Sequence, residues 1–136
     1  MADEKNLFDI EIICPDRVLH TGRAYMVEFN TTEGQIGVFK NHVPITTVLA
    51  PGIVTITEGD DHKKQAAIHS GFATILQDKV TLLADIAELP DEIDVQRAEA
   101  AKQRAEKRLS EHADGLDVLR AEVALKKALV RLGIKK

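Results

Sequence analysis

One acidic and two arginine side chains fall on one side of a helix-forming segment, where they could bind a phosphate-bearing ligand. At about 100° per residue, Arg97 lies roughly 60° and Arg104 roughly 80° from Asp94 around a helix axis. Arginine presents a planar fork that suits phosphate, and a carboxylate accepts hydrogen bonds from hydroxyl or amino groups. The alternative is an ordinary surface ion pair at i,i+3, worth only about a few tenths of a kcal/mol. The residues by themselves leave both interpretations open.

A second candidate is His42, which lies in a turn-like loop between Asn41 and Pro44. Pro44 fixes its own backbone and biases Val43 toward an extended conformation. Catalysis by His42 would need a nucleophile or acid partner and a pocket, and its neighbours in sequence offer neither. The two remaining interpretations are a solvated loop residue and a contact with a partner.

The other residues that could do chemistry do not form a recognisable catalytic or metal-binding set. No Ser/His/Asp set is evident, and the chain has no Gly-x-x-x-x-Gly-Lys-Ser/Thr loop. We therefore predict a non-catalytic protein that requires no metal and no cofactor. The five histidines, which lack the spacing of metal ligands, are His20, His42, His62, His69 and His112.

Charge is unevenly distributed along the 136 residues. Residues 1–90 hold 7 basic against 13 acidic side chains, a net charge of −6, whereas residues 91–136 hold 11 against 9, a net charge of +2. Nucleic acid binding needs a dense basic face, so we expect no nucleic acid partner. The basic end of the chain favours an acidic partner. Its basic residues are Lys126, Lys127, Arg131, Lys135 and Lys136.

No targeting or membrane-spanning segment is expected. Apolar stretches are only a few residues long, far short of the ~20 residues of a spanning helix. Asp3, Glu4 and Lys5 precede any long apolar run, which is not the pattern of a signal peptide. The single cysteine, Cys14, alternates with apolar residues, and we interpret it as a small core side chain.

The hydrophobic period changes near residue 88 and predicts two domains, residues 1–87 and residues 88–136. The first alternates with a period of two and has turn signals between short runs, which is typical of a sandwich or barrel. Gly59-Asp60-Asp61-His62 predicts a hairpin tip, and Ser70-Gly71 predicts a break between two strands. Strand-like runs fall at residues 8–14, 24–29, 53–57, 65–69, 72–76 and 80–84.

The second domain predicts an antiparallel hairpin of two helices. Residues 91–132 contain one Gly and no Pro and are rich in strong helix formers. We expect Asp91 and Asp94 as the N-cap and a first-turn acid of the first helix. We also expect a break at residues 112–115, and Asp114 or Asp117 at the start of the second helix. Gly133 is the expected stop. The expected apolar faces carry Ala98, Ala101, Ala105 and Leu109, and Leu116, Leu119, Val123, Leu125, Leu129 and Leu132.

Residues 34–52 contain, in order, a Gly-x-x-Gly segment, a His-x-Pro loop and a Pro-Gly turn. This run resembles the signature of the epsilon subunits of bacterial F-type ATP synthases. Residues 70–85 resemble the next part of the family pattern, and residues 93–98 resemble the Ile/Leu-Asp-x-x-Arg-Ala motif of members that bind ATP. The resemblance covers essentially the whole chain in the right order.

The resemblance implies an α+β fold, with an N-terminal β-sandwich of about ten strands and a C-terminal α-helical hairpin. It also implies a non-catalytic rotor-stalk subunit that couples ion flow through the c-ring to ATP synthesis. The sandwich would contact the gamma subunit and the c-ring, at the cytoplasmic side of the cell membrane. The helices would lie folded, or extend toward the alpha and beta subunits and inhibit ATP hydrolysis.

The resemblance also implies site residues. Positions that match Gln35 and His42 lie near the c-ring in the family, although many members have an acid in place of Gln35. In some members, regulatory ATP binds the folded hairpin. The residues that match that ATP site are Glu88, Asp94, Arg97, Arg104, Lys127 and Arg131, and arginine is usual where this chain has Lys127, which cannot meet a phosphate bidentately.

The alternative function is a β-sandwich binding module for a peptide or sugar, with a helical tail for assembly. It predicts exposed aromatic side chains on one face of the sandwich. The chain has only four Phe, one Tyr and no Trp, which argues against this alternative.

Overall fold

The computed structural model of the chain describes residues 4–59, 62–111 and 117–134, and shows a β-sheet domain followed by two helices. The strands are β1 (Phe8–Cys14), β2 (Arg17–Ala24), β3 (Met26–Thr31), β4 (Gly34–Phe39), β5 (Ile45–Leu49), β6 (Gly52–Gly59), β7 (His62–Ile75) and β8 (Lys79–Glu88). Short 3-10 helices cover Glu4–Asn6 and Pro90–Glu92, and the helices are α1 (Val95–Glu111) and α2 (Val118–Gly133).

The strands form a β-sandwich with the order β2-β1-β8-β7-β5-β3-β4, while β6 pairs with β3 and β7. All of these pairs are antiparallel except β1 with β8. The first half of β7 pairs with β6 and the second half pairs with β5. β3 contacts both β5 and β6, so β7 and β3 connect the two layers.

The predicted strand break at Ser70-Gly71 is wrong, because β7 is one strand of 14 residues. The register with β8 shifts on either side of Ser70, which marks a bulge, and Gly71 adopts φ 145°. A side chain at Gly71 would collide with the Leu83 carbonyl, so glycine allows the bend without ending the strand. The described residues thus form eight strands where about ten were expected, since long strands bend at bulges instead of breaking.

The sandwich core follows the predicted alternation. In β1, the buried side chains are Phe8, Ile10, Ile12 and Cys14, which share one face. Cys14 is a core side chain as predicted, and burial raises the pKa of its thiol. The remaining large core residues are aliphatic apart from Phe29. The sandwich interior is therefore built mainly from interdigitated Ile, Val, Leu and Ala.

Two aspartates cap the helices. Asp94 Oδ1 accepts the Arg97 amide N–H at 3.1 Å, and Asp117 Oδ1 accepts the Arg120 amide N–H at 3.0 Å. Asp91 lies in the 3-10 turn before α1. Gly133 ends α2 as predicted. The predicted helix break at residues 112–115, with Asp114, and the hairpin tip at Asp60 and Asp61 lie outside the described residues.

The helices pack through alanines. The buried side chains of the hairpin helices are Ala98 and Ala105 in α1 and Ala121 and Ala128 in α2. The leucine face predicted for α2 is wrong in part: Leu125 and Leu132 are half-buried, whereas Leu119 is 70% exposed, and Val123 and Leu129 are also exposed. Alanines let the two backbones approach closely, so the larger side chains are displaced to the flanks of the contact. Leu116 lies outside the described residues.

A second, smaller apolar cluster joins the hairpin to the sandwich. It consists of Ala67 in β7, Ile93 before α1 and Ile134 after α2, with half-buried Ile53 and Val130 against it. The same junction contains a bidentate pair, in which Arg17 Nη1 and Nη2 lie 2.7 and 2.8 Å from the Glu92 carboxylate. The end of α2 and the linker before α1 therefore both contact the sandwich directly.

Candidate functional site

A cavity of about 320 Å³ lies where α1, α2 and the end of β8 meet. Three guanidinium groups, from Arg97, Arg104 and Arg131, border it. The structure brings five of the six residues of the predicted ATP set to this one cavity. The full lining is Glu88, Glu92, Asp94, Arg97, Ala98, Ala101, Arg104 and Arg131.

Helix α1 presents Arg97 and Arg104 on the cavity side. Because the Asp94 carboxylate accepts the Arg97 backbone N–H, it caps the helix and does not pair with the Arg97 side chain. Within the described parts of the chain, neither Arg97 nor Arg104 forms an ion pair. The i,i+3 ion pair considered from the sequence is thus not formed, and both guanidinium groups keep their donors for a ligand.

Glu88 connects the cavity to both domains. Its Oε1 atom accepts a hydrogen bond from Arg131 Nε at 2.6 Å and another from His69 Nε2 at 2.9 Å. Burial by itself raises the pKa of Glu88, but the hydrogen bonds from Arg131 and His69 outweigh burial and lower it. Glu88 is therefore a charged carboxylate that orients Arg131 at the edge of the cavity.

Sequence reasoning missed two residues of this site. His69 is 1% exposed and lies beneath Glu88 in β7, and its only sequence signal is a polar side chain after the apolar run Ala66-Ala67-Ile68. Glu92 lines the cavity, is held by Arg17, and accepts the Leu89 N–H at 2.8 Å. These hydrogen bonds and the Arg17 pair lower the pKa of Glu92.

Lys127 is the one member of the predicted ATP set that does not line the cavity. It lies one turn before Arg131 on α2 and is half-buried. After burial, which is the largest effect, its positive charge is one of the causes that lower the pKa of His69. A role for Lys127 toward a ligand would require its ammonium group to move into the cavity.

Gln35 is exposed and His42 is half-buried, and they lie towards opposite ends of β4. At ~3.3 Å per residue, the strand from Gln35 to Phe39 spans about 13 Å, and His42 lies beyond it. His42 Nδ1 donates to the Val43 carbonyl at 2.7 Å, and Asn41 adopts φ 69°, which gives the loop a defined turn. One partner can contact both residues only if it runs along β4.

A row of apolar side chains crosses the outer face of one layer of the sandwich. Register pairs align Val18, Ile13, Leu83, Phe72 and Val48 across β2, β1, β8, β7 and β5. Directly opposed residues point to the same face, and five strands at ~4.8 Å spacing make this apolar row about 19 Å long. Phe72 is 54% exposed, and only Ile13 in the row is half-buried. Such a patch is typical of a protein interface.

The cavity has the charged groups of an anion site, and its lining includes no Ser, Thr, Cys, His or Lys side chain. Three guanidinium groups around one space suit a polyphosphate, which would accept several charge-assisted hydrogen bonds. The described residues contain no group of three or more side chains placed to hold a metal ion. Among the described helices, none combines the length and apolar character that a membrane span needs.

Comparisons with known proteins agree with this architecture. Residues 7–90 match the family model described as "ATP synthase, Delta/Epsilon chain, beta-sandwich domain", and residues 91–136 match "ATP synthase, Delta/Epsilon chain, long alpha-helix domain". In the solved structure of the Euglena gracilis mitochondrial ATP synthase, a chain shares the fold with a TM-score of 0.78 at 22% identity. The match covers 90% of this chain and 77% of that one.

Curated relatives include two proteins named ATP synthase epsilon chain. The one from Brevibacillus brevis is 48% identical over 103 residues, covering 75% of this chain and 77% of the relative. The one from Caldanaerobacter subterraneus is 41% identical over 127 residues, covering 93% of this chain and 92% of the relative. Both family models together span nearly the whole chain. The chain therefore belongs to the ATP synthase delta/epsilon family, among the bacterial epsilon chains.

Proposed function

We propose that this epsilon chain couples ion flow through the c-ring to ATP synthesis, and that its hairpin inhibits ATP hydrolysis when extended and binds regulatory ATP when folded. The observation that carries the proposal is the cavity at the junction of the two domains. It exists only when α2 lies against α1 and the sandwich, because its lining comes from β8, the linker, α1 and α2. A ligand bound there stabilises the folded form by mass action.

ATP fits the chemistry of this cavity. Its triphosphate would contact Arg97, Arg104 and Arg131, whose guanidinium groups come from both helices. Arg131 already pairs with Glu88, so phosphate would either share or replace that contact. A nucleotide would therefore hold the hairpin helices against the sandwich through contacts with charged groups, and not through additional apolar burial.

The apolar row is the proposed docking surface for the gamma subunit. Phe72, Leu83 and Val48 are exposed and lie outside the sandwich core. A partner that covers them removes their apolar surface from water, which favours binding. Gln35, on the edge strand β4, and His42, in the loop after it, are the proposed contacts with the c-ring. Attachment to the ring would place the chain peripherally at the cytoplasmic side of the cell membrane.

The extended form has its own proposed contacts. Leu119, Val123 and Val130 lie within about 40° of one another around α2, but only Val130 packs on the sandwich. Released from the sandwich, this stripe could bury itself on the alpha and beta subunits. The basic residues at positions 126, 127 and 131 would then approach acidic groups there, in a contact weakened by salt.

The alternative of a peptide-binding or sugar-binding module is less well supported. It predicts several exposed aromatic side chains on one face. The apolar row contains one aromatic residue, Phe72, while Phe8 and Phe29 are buried in the core.

The test is the thermal midpoint of the isolated full chain, measured with increasing ATP. We expect the midpoint to rise with ATP, and Arg104→Ala to weaken apparent affinity about ten-fold or more, because hydrogen bonds to charged groups contribute roughly 1.5–3 kcal/mol. Arg108→Ala is the matched control, since Arg108 is exposed in α1 and does not line the cavity. An unchanged midpoint at millimolar ATP would refute the regulatory site.

A further inference from the structure

A buried histidine lies under the contact between α2 and the sandwich. His69 belongs to β7, its side chain is fully enclosed, and its Nε2 atom lies 2.9 Å from Glu88 Oε1. That same carboxylate oxygen lies 2.6 Å from Arg131 Nε on α2. One oxygen of Glu88 thus receives a donor from the sandwich on one side and a donor from the helix on the other.

The hydrogen bonding of this chain defines the state of the imidazole ring. Glu88 is charged, so Nε2 carries the proton that is donated to it. The other ring nitrogen, Nδ1, is buried, and the described residues offer it no hydrogen-bond partner. In the neutral ring Nδ1 is an acceptor, and a further proton must bind there, without a carboxylate or carbonyl to stabilise it.

We propose that neutral His69 is a positioning residue that fastens α2 to the sandwich through Glu88 and Arg131, and that protonation of its ring releases the helix. Neutral His69 fixes the rotamer of Glu88, and Glu88 fixes Arg131 in the last turns of α2. Protonated His69 would place a third positive charge beside two cationic side chains of that helix.

Charges on each packed element act on His69. From β8, Glu88 favours the protonated ring, whereas Arg131 and Lys127 of α2 oppose it. Burial is the largest effect, and the balance lowers the pKa of His69 from its ordinary value. Release of α2 exposes the ring to water and separates it from Arg131 and Lys127, which restores ordinary titration.

The sign of the pH effect follows from the lower pKa of His69 in the docked state than in the released state. A histidine whose pKa is lower in the docked state stabilises docking fully above its ordinary pKa of about 6.5. Docking weakens as the pH falls below that value, because the released form binds the proton more tightly. Between pH 7.5 and 5.5, one such group can raise the opening equilibrium constant up to about ten-fold.

The experiment uses energy transfer in the full chain without nucleotide. Dyes on Glu33→Cys in the sandwich and Glu122→Cys in α2, in a Cys14→Ser background, report the docked fraction; both glutamates are exposed. We expect transfer to fall on acidification from pH 7.5 to 5.5. His69→Gln keeps a donor for Glu88 and does not titrate, so it should stay docked at both pH values.

His69→Leu removes the donor and should undock α2 at both pH values, while far-UV circular dichroism checks that the sandwich is folded. The same acid response in His69→Gln and the parent chain would overturn the proposal. So would docking in His69→Leu as tight as in the parent chain.

A second measurement needs no substitution. Nuclear magnetic resonance of the parent chain follows the His69 ring and the α2 amides through the same pH range. We expect both to change with one midpoint, below the ordinary histidine value. Helix amides that shift where the ring does not titrate would contradict the proposal.

The inference rests on the proposed function only for the consequence that released α2 reaches other subunits. Docking is measured in the isolated chain without ATP, so a failed ATP titration leaves the histidine result intact. In the same way, a pH-independent docked state would leave the ATP site standing.

Discussion

The sandwich and the hairpin bury very different side chains. The sandwich core contains Phe29, Ile10, Ile12 and Leu82, each at most 1% exposed, whereas the buried residues of the hairpin helices α1 and α2 are alanines. Full burial of a large apolar side chain contributes roughly 1.5–3 kcal/mol, and alanine contributes much less because it has a single methyl group. The comparison teaches that the two helices are held together by much less apolar burial than the sandwich.

The junction between the two regions follows the same division. Among the described residues, apolar contact there comes from the small cluster around Ala67, Ile93 and Ile134. The junction also contains polar contacts, of Arg131 and His69 with Glu88 and of Arg17 with Glu92. Polar contacts can be exchanged for a ligand, a proton or a partner, whereas an apolar core is lost only by unfolding. The junction is thus the place where the proposed release of the hairpin would begin.

The largest expected effect is in the sandwich core. Ile12→Ala should destabilise the chain by about 2–5 kcal/mol, because Ile12 is fully buried and its loss leaves a cavity. The matched comparison is Leu125→Ala in α2, where Leu125 is half-buried. This change should lower the free energy of unfolding by about 1 kcal/mol or less. Denaturant unfolding followed by circular dichroism measures both. Equal losses would show that the hairpin is as firmly packed as the sandwich.

A smaller effect is expected at the junction. Glu88→Gln removes the charge that holds Arg131, and we expect the opening equilibrium of α2 to rise roughly three- to ten-fold, since charged hydrogen bonds weaken when partly solvated. The unfolding midpoint of the sandwich should stay unchanged. Energy transfer between sandwich and helix is the measurement, with Glu106→Gln at an exposed position of α1 as the charge-matched comparison. If α2 stays docked in Glu88→Gln, the apolar cluster and not the Glu88 charge holds the helix on the sandwich.

The sequence predicted those parts of the fold that depend on local patterns. Period-two alternation identified the core face of β1, and Asp117 was correctly expected at the start of α2. At the start of α1 the cap is Asp94, which was expected as a first-turn acid, and not Asp91. The break at Ser70-Gly71 was wrong because turn residues in a bulge look the same as turn residues between strands. The buried face of α2 was partly wrong because hydrophobicity favours leucine, while close helix contact selects alanine.

The cavity was harder to predict, because its residues come from distant parts of the chain. Helix geometry placed Asp94, Arg97 and Arg104 together, and the family resemblance added Glu88 and Arg131. Asp94 lies directly before α1 and caps the helix by accepting the Arg97 N–H. This hydrogen bond competes with any contact of the Asp94 carboxylate with a ligand. His69 could not be found from sequence, since its contact with Glu88 depends on the pairing of β7 with β8 across the bulge.

The smallest expected effect on the stability of the sandwich comes from deleting both helices. A chain that ends after Asp94 keeps β1 to β8 and the Arg17–Glu92 pair, but loses both helices and the Ile134 contribution to the small cluster. Since the main core contains no residue beyond Ala87, its packing stays intact. We expect the sandwich to unfold within about 1 kcal/mol of its stability in the full chain, the cost of uncovering Ala67 and Ile93. Denaturant midpoints of the two chains measure this difference.

Binding of the truncated chain to gamma should persist, because the apolar row lies entirely on strands. Phe72→Ser in the same truncated chain should abolish most of that binding. Loss of the fold on truncation would mean that the alanine-packed hairpin supports the sandwich, and that the sandwich does not fold independently.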